Sequence, residues 1–252
     1  MPFQAVQTQK LYQRVADQLA GLIRAGELKP GARLPAERDL ARQLGVSRPT
    51  LREAMIALEI AGLVEVRTGA GITVRDATAA GRIDAGPSAF DLLAARKLVE
   101  GETAALAAAA RTDIDVAALD QAIASHRADF ARGGDGFGAD RAFHLAIARA
   151  AGNSALEGIV VEFWDSMRGP IFGRLTELTR LPAKDRTNLA DHVAIRDAIA
   201  ARDAGAARAA MGAHIAGVEA YFLGEADAAP DRGAAPGVAT GAAPRIAPRT
   251  ER

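Results

Sequence analysis

The stretch Pro35 to Met55, PAERDLARQLGVSRPTLREAM, constrains the chain most, because it reads as two short helices joined by a tight turn. Leu40, Ala41 and Leu44 share a face of the first helix, and Gly45 supplies the backbone freedom that ends it. Val46 plugs the corner beneath the turn. Ser47 is placed to cap the second helix through its hydroxyl, and Pro49 is tolerated in a first turn whose amides have no intrahelical partner. Leu51, Ala54, Met55 and Leu58 recur at helical spacing and hold that helix against a core. Arg48 and Arg52, four residues apart, project with the Thr50 hydroxyl from the N-terminal part of the helix, the part that enters a major groove in a recognition helix. Two arginines on an amphipathic helix also fit a plain solvated surface, so the flanking chain has to decide.

Upstream, Leu11, Val15, Leu19, Leu22 and Ile23 form the core stripe of a helix predicted over residues 9–25. Gly26, Pro30 and Gly31 break that pattern and leave Leu28 and Leu34 as anchors in a polar connector. Downstream, Gly62 ends the recognition helix, Leu63–Arg67 alternates apolar with polar, and Thr68-Gly-Ala-Gly71 leads into Ile72-Thr-Val74. This predicts a two-stranded wing that leans on the helices, with a Gly-rich tip free to approach a phosphate or the minor groove.

The net charge is zero but unevenly divided. Residues 1–76 hold 11 Lys and Arg against 8 Asp and Glu, and residues 77–252 hold 20 against 23, so the basic excess sits with the helix-turn-helix. A chain of 252 residues has room for two domains, and 49% hydrophobic with only 4% aromatic residues points to Ala- and Leu-rich helices. The absence of cysteine removes disulfides and thiolate metal sites. No secretory pattern opens the sequence and no run of about 18 apolar residues occurs, so no membrane partner is expected and the cytoplasm is the expected location.

Residues 76–88 lack periodicity, carry Gly81, Gly86 and Pro87, and read as a linker. From Phe90 the pattern is helical throughout, in segments near 89–110, 114–132, 138–151, 154–179, 185–202 and 204–223. Residues 226–252, with four prolines among Gly, Ala and Arg, read as a disordered tail. The expected fold is mainly α: a winged helix-turn-helix over residues 1–75, the linker 76–88, and an antiparallel all-helical bundle over 89–225.

Within the bundle, Asp140 and His144 are four apart and share a helical face, while His192 and His214 lie on two later helices. One carboxylate and three imidazoles can converge on a divalent metal, or they can be hydrogen-bonded core residues; spacing alone leaves both open. His126 is read as structural or surface, and Trp164, the only tryptophan, as core.

Three segments, GELKPGARLPAERDL (26–40), VSRPTLREA (46–54) and GLVEVRTGAG (62–71), resemble the winged helix-turn-helix of the GntR-type bacterial transcription regulators. That resemblance covers residues 10–75 and implies DNA contact by Arg38, Ser47, Arg48, Thr50 and Arg52, and by Thr68 and Gly69 of the wing. Of these, Arg48 and Arg52 suit base reading, since a guanidinium pairs bidentately with guanine, and Arg38, Ser47 and Thr50 suit phosphates. The second half is similar to the FCD effector domain of the FadR-like branch. The likeness runs through FDLLAARKLVE (90–100), DRAFH (140–144) with Ala151-Gly-Asn153, His192 with Ala198-Ile199, and DAGAARAAMGAH (203–214). It implies a divalent metal (Zn, Ni, Mn or Fe) on Asp140, His144, His192 and His214, with open positions for a small carboxylate effector. The expected function is a ligand-responsive repressor that acts as a homodimer, each wing domain reading one half of a pseudo-palindromic operator in double-stranded DNA, since two-fold protein meets two-fold DNA.

Arg96 shares a side with Glu100 and either pairs with it or clamps the effector's carboxylate, with Asn153 adding an amide contact. LYQRVA (11–16), residues 57–67 and residues 164–175 are most similar to hexuronate-responsive members, so a sugar acid is the expected effector. Two rival readings remain. An Asp/His3 metal can activate water for hydrolysis, but then Glu100 or Glu157 must serve as base and the helix-turn-helix goes unexplained. Alternatively the bundle is purely structural and the chain an architectural DNA-binding protein.

Overall fold

The computed structural model describes residues 10–67, 69–76, 86–179 and 182–225. Most of the expected linker (77–85), the wing residue Thr68 and the expected tail (226–252) lie outside the described residues. Among the described residues are ten helices and one two-stranded sheet.

α1 (Leu11–Arg24) buries Tyr12, Val15, Ala16, Leu19, Ala20 and Ile23, a stripe at helical spacing that packs on α3 (Arg48–Ile60). α2 (Glu37–Leu44) ends at Gly45, whose φ of +67° is the left-handed conformation that suits glycine. Ser47 caps α3 by accepting the Thr50 N–H at 3.2 Å, and Leu51, Ala54, Met55 and Leu58 are wholly buried on its inner face. β1 (Val64–Arg67) pairs antiparallel with β2 (Gly71–Val74), with Val64 opposite Val74 and Arg67 opposite Gly71. The polar connector does more than the pattern predicts. Gly31 N–H donates to Val74 O at 2.8 Å, Val74 N–H to Ala32 O at 2.9 Å and Leu34 N–H to Ile72 O at 2.9 Å, so it borders β2 like a third strand. A hairpin too small to stand alone is thereby held along its β2 edge.

The bundle is built on α4 (Ala89–Ala110), which packs against α6 (Phe137–Ala150), α7 (Ser154–Ser166), α9 (Pro182–Ala200) and α10 (Ala204–Phe222), while α5 (Asp113–Ala131) covers α6 and α9. The single helical segment expected over 154–179 is two helices. Pro170 has no N–H to continue α7, and it opens α8 (Pro170–Leu178) at a first-turn position where none is needed. Arg202 adopts a left-handed φ of 58° to end α9, and its guanidinium donates to Ala109 O (3.0 Å) and Arg111 O (2.8 Å), covering carbonyls at the end of α4.

The two halves share one continuous apolar cluster. Three polar contacts also tie α3 to the bundle. The buried Glu53 carboxylate accepts the Ser88 hydroxyl (2.9 and 3.0 Å) and the Phe90 N–H (3.1 Å) at the start of α4. Glu59 accepts Arg174 of α8 (2.8 and 2.9 Å) and also the Val66 N–H of the wing (3.0 Å). Arg48 pairs with Glu225 and donates to Leu223 O at 3.3 Å, just past α10.

Candidate metal centre and DNA-reading face

α6 presents Asp140 and His144 one turn apart, α9 brings His192 and α10 brings His214, so packing of three helices assembles the group expected from sequence. One donor atom from each lies within 4.8 Å of the others. All three imidazoles are buried. Asp140 Oδ1 lies 3.1 Å from His192 Nε2 and 3.4 Å from His144 Nε2, at ion-pair distance, yet none of these three buried atoms makes a well-aligned hydrogen bond. Buried polar atoms without aligned hydrogen bonds are costly, and their convergence needs a cause. A cation bonded at about 2.0–2.1 Å to N and O donors sets adjacent donors about 3.0–3.4 Å apart, which matches these spacings. The donor set, one hard oxygen and three imidazole nitrogens, suits Zn, Ni, Mn or Fe. When bound, such an ion supplies a Lewis-acidic centre that attracts an anionic oxygen.

Each imidazole is also held from behind. His144 Nδ1 meets the Glu100 carboxylate, His192 Nδ1 lies 3.4 Å from His126 Nδ1, and His214 Nδ1 lies 3.4 Å from Asp191 Oδ2. Such contacts leave Nε2 for the shared centre. Burial pushes the Glu100 carboxyl up, but Arg96 and His144 outweigh it and hold it at about 2. Burial also opposes ionisation of Asp140, and the imidazoles of His144 and His192 overcome it, leaving Asp140 well below the usual carboxylate range. Burial, together with the neighbouring His192 and His144, lowers His214 to about 4 against the opposing pull of Asp191, so His214 is neutral at neutral pH, the form that binds a cation.

Beside the cluster opens a cavity of about 770 Å³ bordered by Arg96, Asp140, Trp164, Thr176, Asn188 and His214. Arg96 is buried; its Nε donates to Glu100 at 2.6 Å, its Nη1 lies 3.0 Å from the Met167 sulfur, and its guanidinium carbon sits 4.8 Å from the centre of the Trp164 ring. The ion pair with Glu100 is therefore formed, and the same arginine borders the cavity. Asn153 is not brought to it. Its side chain caps α7 from an exposed position, accepting the N–H groups of Ala155 (3.1 Å) and Leu156 (3.3 Å), and this local bond fixes it away from the cluster.

On α3 the two candidate base-reading arginines are both engaged. Arg52 grips Glu37 of α2 with Nη1 at 2.9 and 3.0 Å from its two oxygens, and Arg48 is held at the end of α10. Arg38 is exposed, and the Ser47 and Thr50 hydroxyls lie 2.8 Å apart. Gly69 is exposed at the wing tip with φ +74°. No local sequence pattern marks the pairings with Glu37 and Glu225 or the backing of His192 by His126.

Fold and site together define a two-part helical protein: a winged helix-turn-helix clasped to a bundle with a buried Asp/His3 centre. Residues 11–74 match the bacterial regulatory proteins of the gntR family, and residues 91–217 match the FCD domain. The chain belongs to the GntR family, in the branch that carries an FCD domain. It is 40% identical over 171 residues to the Uxu operon transcriptional regulator of Escherichia coli (strain K12), covering 64% of this chain and 66% of that protein. It is 41% identical over 167 residues to the Exu regulon transcriptional regulator of the same strain, covering 62% of each. A solved structure of E. coli McbR/YncC is 26% identical with a TM-score of 0.50, covering 86% of this chain and 99% of that one. The chain thus spans less than two thirds of the length of the two curated relatives. The matched families and relatives are transcriptional regulators and lend no support to the hydrolase reading of the Asp/His3 cluster. Among the described residues no helix is long and apolar enough to cross a membrane.

Proposed function

We propose that this chain is a ligand-responsive repressor of transcription that acts in the cytoplasm as a homodimer on a pseudo-palindromic operator. The observation that carries the reading is the buried convergence of Asp140, His144, His192 and His214 beside an Arg96-bordered cavity, in a chain whose other half is a winged helix-turn-helix. Those four residues hold a divalent ion, Zn, Ni, Mn or Fe. A small carboxylate binds between that ion and Arg96, the guanidinium that borders the cavity from α4. The resemblance to hexuronate-responsive members favours a sugar acid. On DNA, Arg48 and Arg52 read bases, while Arg38, Ser47, Thr50, Thr68 and Gly69 approach the backbone.

A route between the two sites is at hand. Arg48 contacts the residues just past α10, and α10 carries His214. A ligand that moves α10 therefore acts on a base-reading residue directly, and a coupling of ~1–3 kcal/mol suffices for a switch. The test is selection of DNA from a random pool by the full chain at fixed salt. The reading expects a two-fold site bound well above random DNA; binding that depends on salt and not on sequence would sink it.

A further inference from the structure

The cluster uses three of the chain's four histidines, and the fourth explains how one of them is aimed. His126 ends the buried stripe Leu119, Ala122, Ile123, His126 of α5 and is 1% exposed. Its Nδ1 lies 3.4 Å from the Nδ1 of His192. Phe130, one turn on, packs against the ring with centroids 4.5 Å apart. Gly136, at φ +71°, leaves the space that the other nitrogen occupies, since a Cβ there would stand 2.5 Å from His126 Nε2. His192 is gripped in turn by Phe143, stacked at 4.1 Å and 18°. Packing thus holds both rings, and the placement of their protons decides whether the facing nitrogens bond.

Two facing imidazole nitrogens make a hydrogen bond only when one carries the proton and the other a lone pair. His192 Nε2 faces Asp140 Oδ1 at 3.1 Å and must keep its lone pair to bind a cation, so its proton belongs on Nδ1. We infer that His126 is a positioning residue: its Nδ1 accepts the His192 Nδ1–H, fixing His192 in the tautomer that presents Nε2 to a divalent cation. His126 then carries its own proton on Nε2, against Gly136. This inference rests on the metal reading proposed above.

The experiment compares metal-free full-length wild type, His126→Phe and His126→Asn in Co²⁺ titrations against a competing chelator, with thermal unfolding of each metal-free protein alongside. Phe keeps the ring and removes both nitrogens, whereas Asn places an amide oxygen near the former Nδ1. His126→Phe is expected to bind Co²⁺ about 10–100-fold more weakly. His126→Asn is expected to recover most of that loss. Nitrogen NMR of Zn²⁺-loaded wild type should find His126 protonated at Nε2 and His192 at Nδ1. Wild-type affinity in His126→Phe, no recovery in His126→Asn, or a proton on His126 Nδ1 would each overturn the assignment while leaving the metal reading intact. Failure of wild type itself to bind Co²⁺ or Zn²⁺ removes both. Should His126→Phe not fold, the Asn variant and the wild-type tautomers decide.

Discussion

Glu53 sits on the recognition helix but does its work at the start of α4. Its carboxylate is 2% exposed and accepts the Ser88 hydroxyl at 2.9 and 3.0 Å and the Phe90 N–H at 3.1 Å, while Ser88 itself accepts the Asp91 N–H at 3.0 Å. Glu53→Ala leaves a hydroxyl and an amide of buried residues without an acceptor and opens a void between the two halves. At about 1–3 kcal/mol for each unsatisfied buried donor, partly relieved by water entry, the expected loss is ~2–4 kcal/mol. Glu53→Gln keeps an acceptor oxygen and removes the charge, so its cost should be ~1 kcal/mol or less.

The pH dependence separates the two effects. Burial raises the Glu53 pKa, outweighing the bonds from Phe90, Ser88 and Ala89 that lower it. A carboxyl whose folded pKa is raised binds its proton more tightly in the folded state. Its contribution is therefore most favourable below the ordinary carboxylate value and falls as pH rises through the folded pKa. Urea unfolding followed by Trp164 fluorescence and by circular dichroism, repeated from pH 4 to 8, should show Glu53→Gln gaining on wild type as pH rises. A Glu53→Ala midpoint equal to that of wild type, or a Gln variant as damaged as the Ala variant at pH 7, would refute the reasoning.

Three further outcomes follow from the same geometry. Arg48→Ala should cost ~1–3 kcal/mol in operator binding and relax preference at one position per half-site; uniform weakening on all sequences, measured by competition with mutated sites, would mean that Arg48 touches phosphate alone. Glu225→Gln frees Arg48 from a partly exposed pair of the kind worth ~0–1 kcal/mol, so operator affinity should rise by up to about fivefold in a fluorescence-anisotropy titration, and a fall would show that the pair does not restrain the reading arginine. His144→Ala should abolish metal uptake, read by elemental analysis, and the effector response with it, while operator affinity stays near wild type. Loss of operator binding as well would mean that the site holds the fold.

The helix-turn-helix is legible because its signals act within a turn or two of chain. Gly45 needs only its own φ, Ser47 caps an amide three residues on, and Leu51 to Leu58 declare their face by spacing. The site is legible only in part. Asp140 and His144 announce themselves by a four-residue interval, but His192 and His214 join them through the packing of α9 and α10, and it is the family resemblance that groups all four. Glu100 reads as a helical partner of Arg96. That it also meets His144, on another helix, is a tertiary fact with no local trace. The same holds for Glu53 and for the pairing of Arg52 with Glu37 across the turn. Two local signals point the other way: Gly169-Pro170 marks the break between α7 and α8, and an Asn directly before Ser154-Ala-Leu-Glu157 is a helix cap before it is a ligand contact.

The central claim, that a metal held by Asp140 and three histidines lets a small acid control DNA binding, is tested most directly by operator affinity. The selected site is titrated with sugar acids and other small carboxylates, once with metal-loaded protein and once after stripping with chelator. The account predicts that one acid shifts the affinity by about 5–150-fold when metal is present and leaves it unchanged when metal is absent. An acid response of equal size in the stripped protein, or no response to any carboxylate in the loaded protein, would contradict it.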